Sequence, residues 1–109
     1  MKIRDDVRKR LIEVAKSKKT ITYGELMNEF HIPRGHLKHE LGIGYIVGEI
    51  SKFEHNEGRP MLSAIVIHKD GKSIGDGFYE LARQLGLLTN QNEKDFWIQE
   101  QQKVWKCYE

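Results

Sequence analysis

The chain has 109 residues, of which 39% are hydrophobic and 31% are charged. This length fits one compact domain, spanning residues 1–109, with a single core. No stretch approaches the ~20 consecutive apolar residues that cross a bilayer, and the basic start leads to no signal-peptide apolar run, so we expect a cytoplasmic protein. A single cysteine, Cys107, excludes an internal disulfide and a multi-cysteine metal site.

The formal net charge is only +2, but the charges are unevenly distributed. Residues 1–20 hold eight Lys or Arg against three Asp or Glu, and residues 21–60 hold four against six. A basic cluster of this size can attract phosphate groups or an acidic protein. The simpler interpretation is a solvated helix face, and the sequence leaves both open.

Helical spacing appears first near the start of the chain, in the apolar residues Ile3, Val7, Leu11 and Val14. We predict that this helix ends near Lys16–Lys19. A short second helix should follow Thr22, because Thr22 and Glu25 have the spacing of a capping box. Pro33 should end that helix.

The segment 36–57 predicts helix with a glycine-rich break at 41–44, and Ile46, Ile50 and Phe53 define the buried side of a third helix over 45–54. After this helix the apolar residues recur at every second position. Alternating, β-branched residues predict a strand from Met61 to Ile67 that is covered on both faces. An Asp70-Gly71 turn and a short returning arm at 72–74 would complete a β-hairpin.

Two further helices are predicted after the hairpin. The first begins around Gly75-Asp76-Gly77 and ends at Gly86. For the second, Asn90 and Glu93 resemble a cap pair. An aromatic stripe follows in the second helix, at Phe96, Trp97, Trp105 and Tyr108, and such large apolar side chains favour docking on the core.

This order of elements predicts an α+β fold: a mainly helical, winged-helix-like domain with a small β-hairpin and extra C-terminal helices. The wing depends on the extended conformation of residues 61–67. If those residues were helical, the wing and the binding role built on it would be lost.

Four short motifs resemble the DNA-binding domain of the alkylguanine-DNA alkyltransferases and alkyltransferase-like proteins. They are Ile21-Thr22-Tyr23-Gly24-Glu25-Leu26, Pro33-Arg34, Val47-Gly48-Glu49-Ile50 and Val66-Ile67-His68-Lys69-Asp70-Gly71. The resemblance implies a helix-turn-helix, with 23–30 as its first helix and 45–53 as the recognition helix. The run from Gly58 to Val66 also resembles uncharacterised small bacterial and phage proteins.

The same alignment places Ser63 where that family has its reactive cysteine and Ala64 where it has a histidine. A serine hydroxyl needs a base within hydrogen-bond reach to become a nucleophile, and Ala64 offers none. We therefore predict no catalytic residue, no metal and no cofactor, and an enzyme is the less favoured interpretation.

Three other kinds of site were weighed. His31, His36 and His39 have spacing compatible with a metal site, but surface or capping histidines explain them more simply. Glu49, Glu54, Asp70 and Lys72 would suit a nuclease only with an acid in the middle of the strand, where Ser63 and Ile65 stand instead. Arg59 can pair internally with Glu57 or Glu49 or contact phosphate, and the internal pair is favoured.

Two functions of different classes remain. The first is a non-catalytic nucleic-acid-binding module that contacts the DNA backbone through the basic first helix and the wing, where Arg59, His68, Lys69 and Lys72 form a small basic edge. Its candidate contacts are Tyr23, Arg34, Lys38, Lys52, Arg59, Lys69 and Lys72. The alternative is a small protein-binding inhibitor or immunity protein of bacterial or phage origin, suggested by acidic Glu49, Glu54 and Glu57 and by the aromatic last helix.

Overall fold

A computed structural model describes residues 3–33 and 42–109. Its elements, in chain order, are α1 (Asp5–Lys16), β1 (Ile21–Thr22), α2 (Tyr23–Phe30), α3 (Ile43–Asn56), a 3-10 helix (Leu62–Ile65), β2 (Val66–Ile67), α4 (Asp76–Gln84) and α5 (Glu93–Cys107). The fold is mainly helical with one small sheet, and therefore broadly α+β.

The first two helices confirm the predictions made from spacing and capping. In α1 the predicted apolar stripe is buried at Val7, Leu11 and Val14. In α2 the Thr22 hydroxyl accepts the Glu25 backbone N–H, and the Glu25 carboxylate accepts the Thr22 N–H. Local sequence alone specifies these two elements, because period and cap chemistry act within one or two turns.

Helix α3 is longer than predicted and more deeply buried. It begins at Ile43, so Gly44 lies inside the helix, and its buried side includes Ile46 and Ile50 as expected. Glu54 also lies on that buried side, whereas Phe53 is only half-buried. The part of the predicted break that falls on residue 41, and the predicted helix at 36–40, lie outside the described residues.

The predicted β-hairpin is wrong. The strand is only Val66–Ile67, and it pairs in parallel with Ile21–Thr22, in the register Ile21 to Val66 and Thr22 to Ile67. The returning arm at 72–74 forms no strand, and its backbone hydrogen bond to β2 runs from the N–H of His68, the residue after the strand, to the Ser73 carbonyl (2.9 Å).

Residues 62–65 form a 3-10 helix. Side chains from α3 and α5 make the hydrogen bonds to the backbone of this segment that a neighbouring strand would otherwise make. The Met61 N–H donates to the Glu100 carboxylate (2.9 Å), and the Ser63 N–H donates to Ser51 Oγ (2.9 Å). Trp97 Nε1 donates to the Ala64 carbonyl (2.9 Å). The segment is buried on all sides, as predicted, but its backbone is satisfied without a ladder.

Helix α5 packs on this 3-10 helix, and α4 packs on α3. Gly86 follows α4 with φ 76°, the left-handed geometry expected there. Helix α5 begins after Asn92, whose side chain accepts the Asp95 N–H, so the predicted Asn90 cap is wrong by two residues. Across residues 3–33 and 42–109, no helix combines the length and apolar character that a membrane crossing requires.

Candidate nucleic-acid interface

The turn from His68 to Ser73 carries two lysines at the protein surface. Two backbone hydrogen bonds hold the turn. The His68 N–H donates to the Ser73 carbonyl, and the Gly71 N–H donates to the His68 carbonyl (3.0 Å). Gly71 has φ 73°, which a residue without a side chain adopts readily. Lys69 and Lys72 are both exposed on this turn.

The Asp70 side chain stabilises the turn by hydrogen bonds to residues of the same turn. Its Oδ1 accepts the backbone N–H groups of Lys72 (2.8 Å) and Ser73 (3.2 Å), and the Ser73 hydroxyl donates to its carboxylate as well. These hydrogen bonds, that from Lys72 first, hold the pKa of Asp70 below its ordinary value. The turn therefore presents Lys69 and Lys72 on an ordered backbone.

Tyr23 and His68 lie together beside this turn. Each is the first residue after its strand, and parallel pairing places the two carboxyl ends at the same edge. Their ring centroids are 5.3 Å apart with an angle of 50° between the planes. The amino-acid sequence suggested a binding role for each residue but not their contact, because the predicted antiparallel hairpin does not bring the ends of β1 and β2 to one edge.

A hydrogen bond holds the Tyr23 ring in place. The Gly75 N–H donates to Tyr23 Oη (3.2 Å). Burial raises the pKa of Tyr23, an effect that the Gly75 hydrogen bond partly offsets, so the phenol is neutral at physiological pH. Tyr23 is thus a half-buried support, while His68 remains exposed.

Most cations in α1 and at its N-cap are paired with carboxylates instead of facing solvent alone. Arg4 pairs with Asp6 (2.8 Å), and Lys9 pairs with Asp5 (3.4 Å). Arg10 reaches Glu29 on α2 (2.9 Å). The positive field of the first helix is therefore weaker than its lysine and arginine count suggests.

Arg59 is held internally, as the sequence analysis favoured, but by a different acid. Its Nη2 lies 2.8 Å from the fully buried Glu54 carboxylate, and Arg8 Nε lies 3.1 Å from the same oxygen. The Tyr108 hydroxyl donates to the other oxygen. Both guanidinium groups lie over the Phe53 ring, at 5.3 and 5.6 Å. Arg59 therefore has a structural partner in place.

The remaining predicted contacts that the structure describes are paired with acids of α3. Lys52 pairs with Glu49, one turn earlier on α3 (2.9 Å). Arg34 and Lys38 lie outside the described residues. Of the predicted set, the structure thus brings together Tyr23, Lys69 and Lys72.

Ser63, at the position that the resemblance aligns with a reactive cysteine, is buried and paired with another serine. Ser51 Oγ donates to Ser63 Oγ (2.6 Å) and accepts the Ser63 N–H. Neither partner is a base, and the hydroxyl has almost no exposure (4% for the residue). This geometry suits a structural hydrogen bond and not a nucleophile.

The two tryptophans of α5 form hydrogen bonds within the protein. Trp97 is buried with its Nε1 on the Ala64 carbonyl, and Trp105 Nε1 donates to the Lys19 carbonyl (3.0 Å). Docking of this helix on the core is confirmed. Of the acids that suggested a protein-binding inhibitor, Glu49 and Glu54 form internal ion pairs, whereas Glu57 is exposed.

The other candidate chemistries are not assembled in the described ranges. Glu49 pairs with Lys52, Glu54 is buried among arginines, and Asp70 lies in the turn, so the acids considered for a nuclease are each engaged elsewhere. Within residues 3–33 and 42–109, no group of three or more His, Cys, Asp or Glu could hold a metal ion. His36 and His39 lie outside those ranges.

Comparisons of the chain with protein-family models, with curated proteins and with solved structures each found no match. The alkyltransferase-like resemblance and the winged-helix assignment therefore stay predictions. The candidate interface rests on its own geometry.

Proposed function

We propose that this chain is a non-catalytic nucleic-acid-binding module that contacts the phosphate backbone through the turn 68–73. The observation that carries the proposal is the pair of exposed lysines, Lys69 and Lys72, on a turn ordered by Asp70. Within the described part of the chain, neither lysine forms a salt bridge.

Unpaired cations suit phosphate binding better than paired ones. A lysine in a salt bridge must give up its carboxylate before it can neutralise a phosphate, whereas an unpaired lysine need only release water and counterions. The ordered backbone also reduces the conformational entropy lost on binding. Because residues 62–65 are a 3-10 helix, the predicted wing and the binding role built on it are lost. The proposal rests instead on the turn lysines, and the paired cations of α1 contribute less than the sequence suggested.

The first test removes both turn lysines. We expect Lys69→Ala with Lys72→Ala to weaken binding to a labelled mixed-sequence DNA, because two phosphate contacts are lost. The slope of log affinity against log salt should become shallower by about 1 to 2, since each contact contributes about 0.7 to 0.9. Fluorescence anisotropy across a salt series measures both quantities.

A matched control removes two lysines from the other end of the sheet. Lys16 and Lys106 are exposed and are close in sequence to Lys19 and Trp105, which are hydrogen-bonded to each other just before β1, whereas the turn follows β2. Lys16→Ala with Lys106→Ala removes the same charge and should leave most of the affinity. Absence of binding by the unaltered protein at low salt, or an equal loss in both double variants, would contradict the proposal.

A further inference from the structure

We propose, resting on the function proposed above, that the nucleic acid bound at the turn is an unpaired strand and that the His68 imidazole stacks on one of its bases. His68 is exposed, immediately precedes Lys69, and has its ring beside that of Tyr23. An aromatic surface and two cations therefore lie within one short turn.

The backbone of His68 is ordered by the turn, and its ring has one aromatic neighbour. Its backbone N–H and carbonyl both take part in the hydrogen bonds that close the turn. Its ring lies against Tyr23, whose hydroxyl accepts the Gly75 N–H. A Cβ added at Gly75 would lie 3.1 Å from Tyr23 Oη and 4.0 Å from His68 Nε2, so all three residues converge at this point. A pre-positioned ring loses little freedom when a base stacks on it.

Stacking of this kind selects an unpaired base. In a duplex both faces of each base are covered by its neighbours, whereas a single strand can offer a base face to an aromatic side chain while its phosphates reach nearby cations. Duplex recognition more often places a helix in the major groove. Helix α3, the predicted recognition helix, instead buries Ile43, Ile46, Val47 and Ile50 and pairs Lys52 with Glu49.

The test compares a labelled oligothymidylate with a labelled mixed-sequence duplex at low salt. We expect the single strand to bind more tightly. His68→Ala should weaken single-strand binding by at least about fivefold, the lower end of what one stacked base contributes, and should weaken duplex binding much less. His68→Tyr should retain single-strand binding, because a phenol ring stacks in the same way.

The outcomes distinguish failure of the stacking inference from failure of the proposed function. If both ligands bind equally and His68→Ala changes neither, or if it weakens both alike, the stacking inference is overturned while phosphate binding through the lysines stands. If neither ligand binds, the proposed function itself is overturned. Retained single-strand binding by His68→Tyr, together with unchanged circular dichroism for both variants, excludes a folding defect as the cause of the loss.

Discussion

Glu54 has a fully buried side chain at the end of α3, where Arg8, Arg59 and Tyr108 converge on its two oxygens. A buried carboxylate is tolerated only when it is paired and hydrogen-bonded. Burial alone would raise the pKa of Glu54, but the hydrogen bonds from Arg59, Tyr108 and Arg8 reverse that effect and lower it. This residue therefore joins α1, α3 and the end of α5.

At this residue scale we predict a large loss from Glu54→Gln. The amide keeps the shape but leaves Arg8 and Arg59 without their shared counter-charge, and breaking a buried ion pair costs about 3 kcal/mol of unfolding free energy. Urea denaturation followed by circular dichroism measures the change.

The control is Glu57→Gln, which alters an exposed carboxylate just beyond the same helix. It should change the free energy of unfolding by less than about 0.5 kcal/mol. Equal effects of the two substitutions would show that the buried cluster is not a specific stabilising contact.

At the scale of elements, some helices are specified by neighbouring residues and others by residues distant in the chain. Thr22 and Glu25 form the capping box that their spacing predicts, because both partners lie within one turn. The 3-10 helix Leu62–Ile65 could not be predicted in the same way. Its backbone partners, Ser51, Trp97 and Glu100, are distant in sequence, and its apolar alternation is equally typical of a strand.

We predict that Thr22→Ala lowers the free energy of unfolding by about 1 kcal/mol, because an N-terminal N–H of α2 loses its partner. Asn28→Ala is the matched control, since Asn28 is exposed in the same helix and alanine is the better helix former. Its expected effect is neutral or slightly stabilising. Chemical denaturation of both variants checks the difference, and equal stability of the two would argue against a contribution from the cap.

At the scale of the whole molecule, the two parallel strands decide which surface is formed. They bring the ends of β1 and β2 to one edge, so Tyr23 and His68 meet although they lie far apart in the chain. The same assembly buries Glu54 and pairs it with Arg8 and Arg59. Charge pattern alone therefore identified the turn lysines but not the pairing of most other cations.

Stability of the whole molecule should be greatest over a broad pH range with two limits. The pKa of Glu54 is lowered by its arginine partners and that of Asp6 by Arg4, so their stabilisation is complete above about pH 4.5 and is lost as the pH falls further. Burial and the Glu54 hydrogen bond raise the pKa of Tyr108 to about 12. Its stabilisation is complete below about pH 10 and is lost as the pH rises towards 12.

Urea midpoints of the unaltered protein and Tyr108→Phe, measured at pH 8 and at pH 11, check the alkaline limit. The difference between the two proteins should be largest at pH 8 and should shrink at pH 11, where ionisation of the unfolded tyrosine offsets the hydrogen bond. A constant difference at both pH values would mean that this hydroxyl does not titrate with unfolding.

The amino-acid sequence by itself determined the local features: the buried stripe of α1, the capping box of α2, the turn at Asp70-Gly71 and the docking face of the last helix. Each depends on residues within a few positions of one another, where period, cap chemistry and backbone preference act directly. Only the tertiary structure decided that β1 and β2 pair in parallel, that Leu62–Ile65 is a 3-10 helix, and that Glu54 is buried. Those outcomes depend on hydrogen bonds and packing between segments distant in the chain, and no local pattern specifies which distant partner is available.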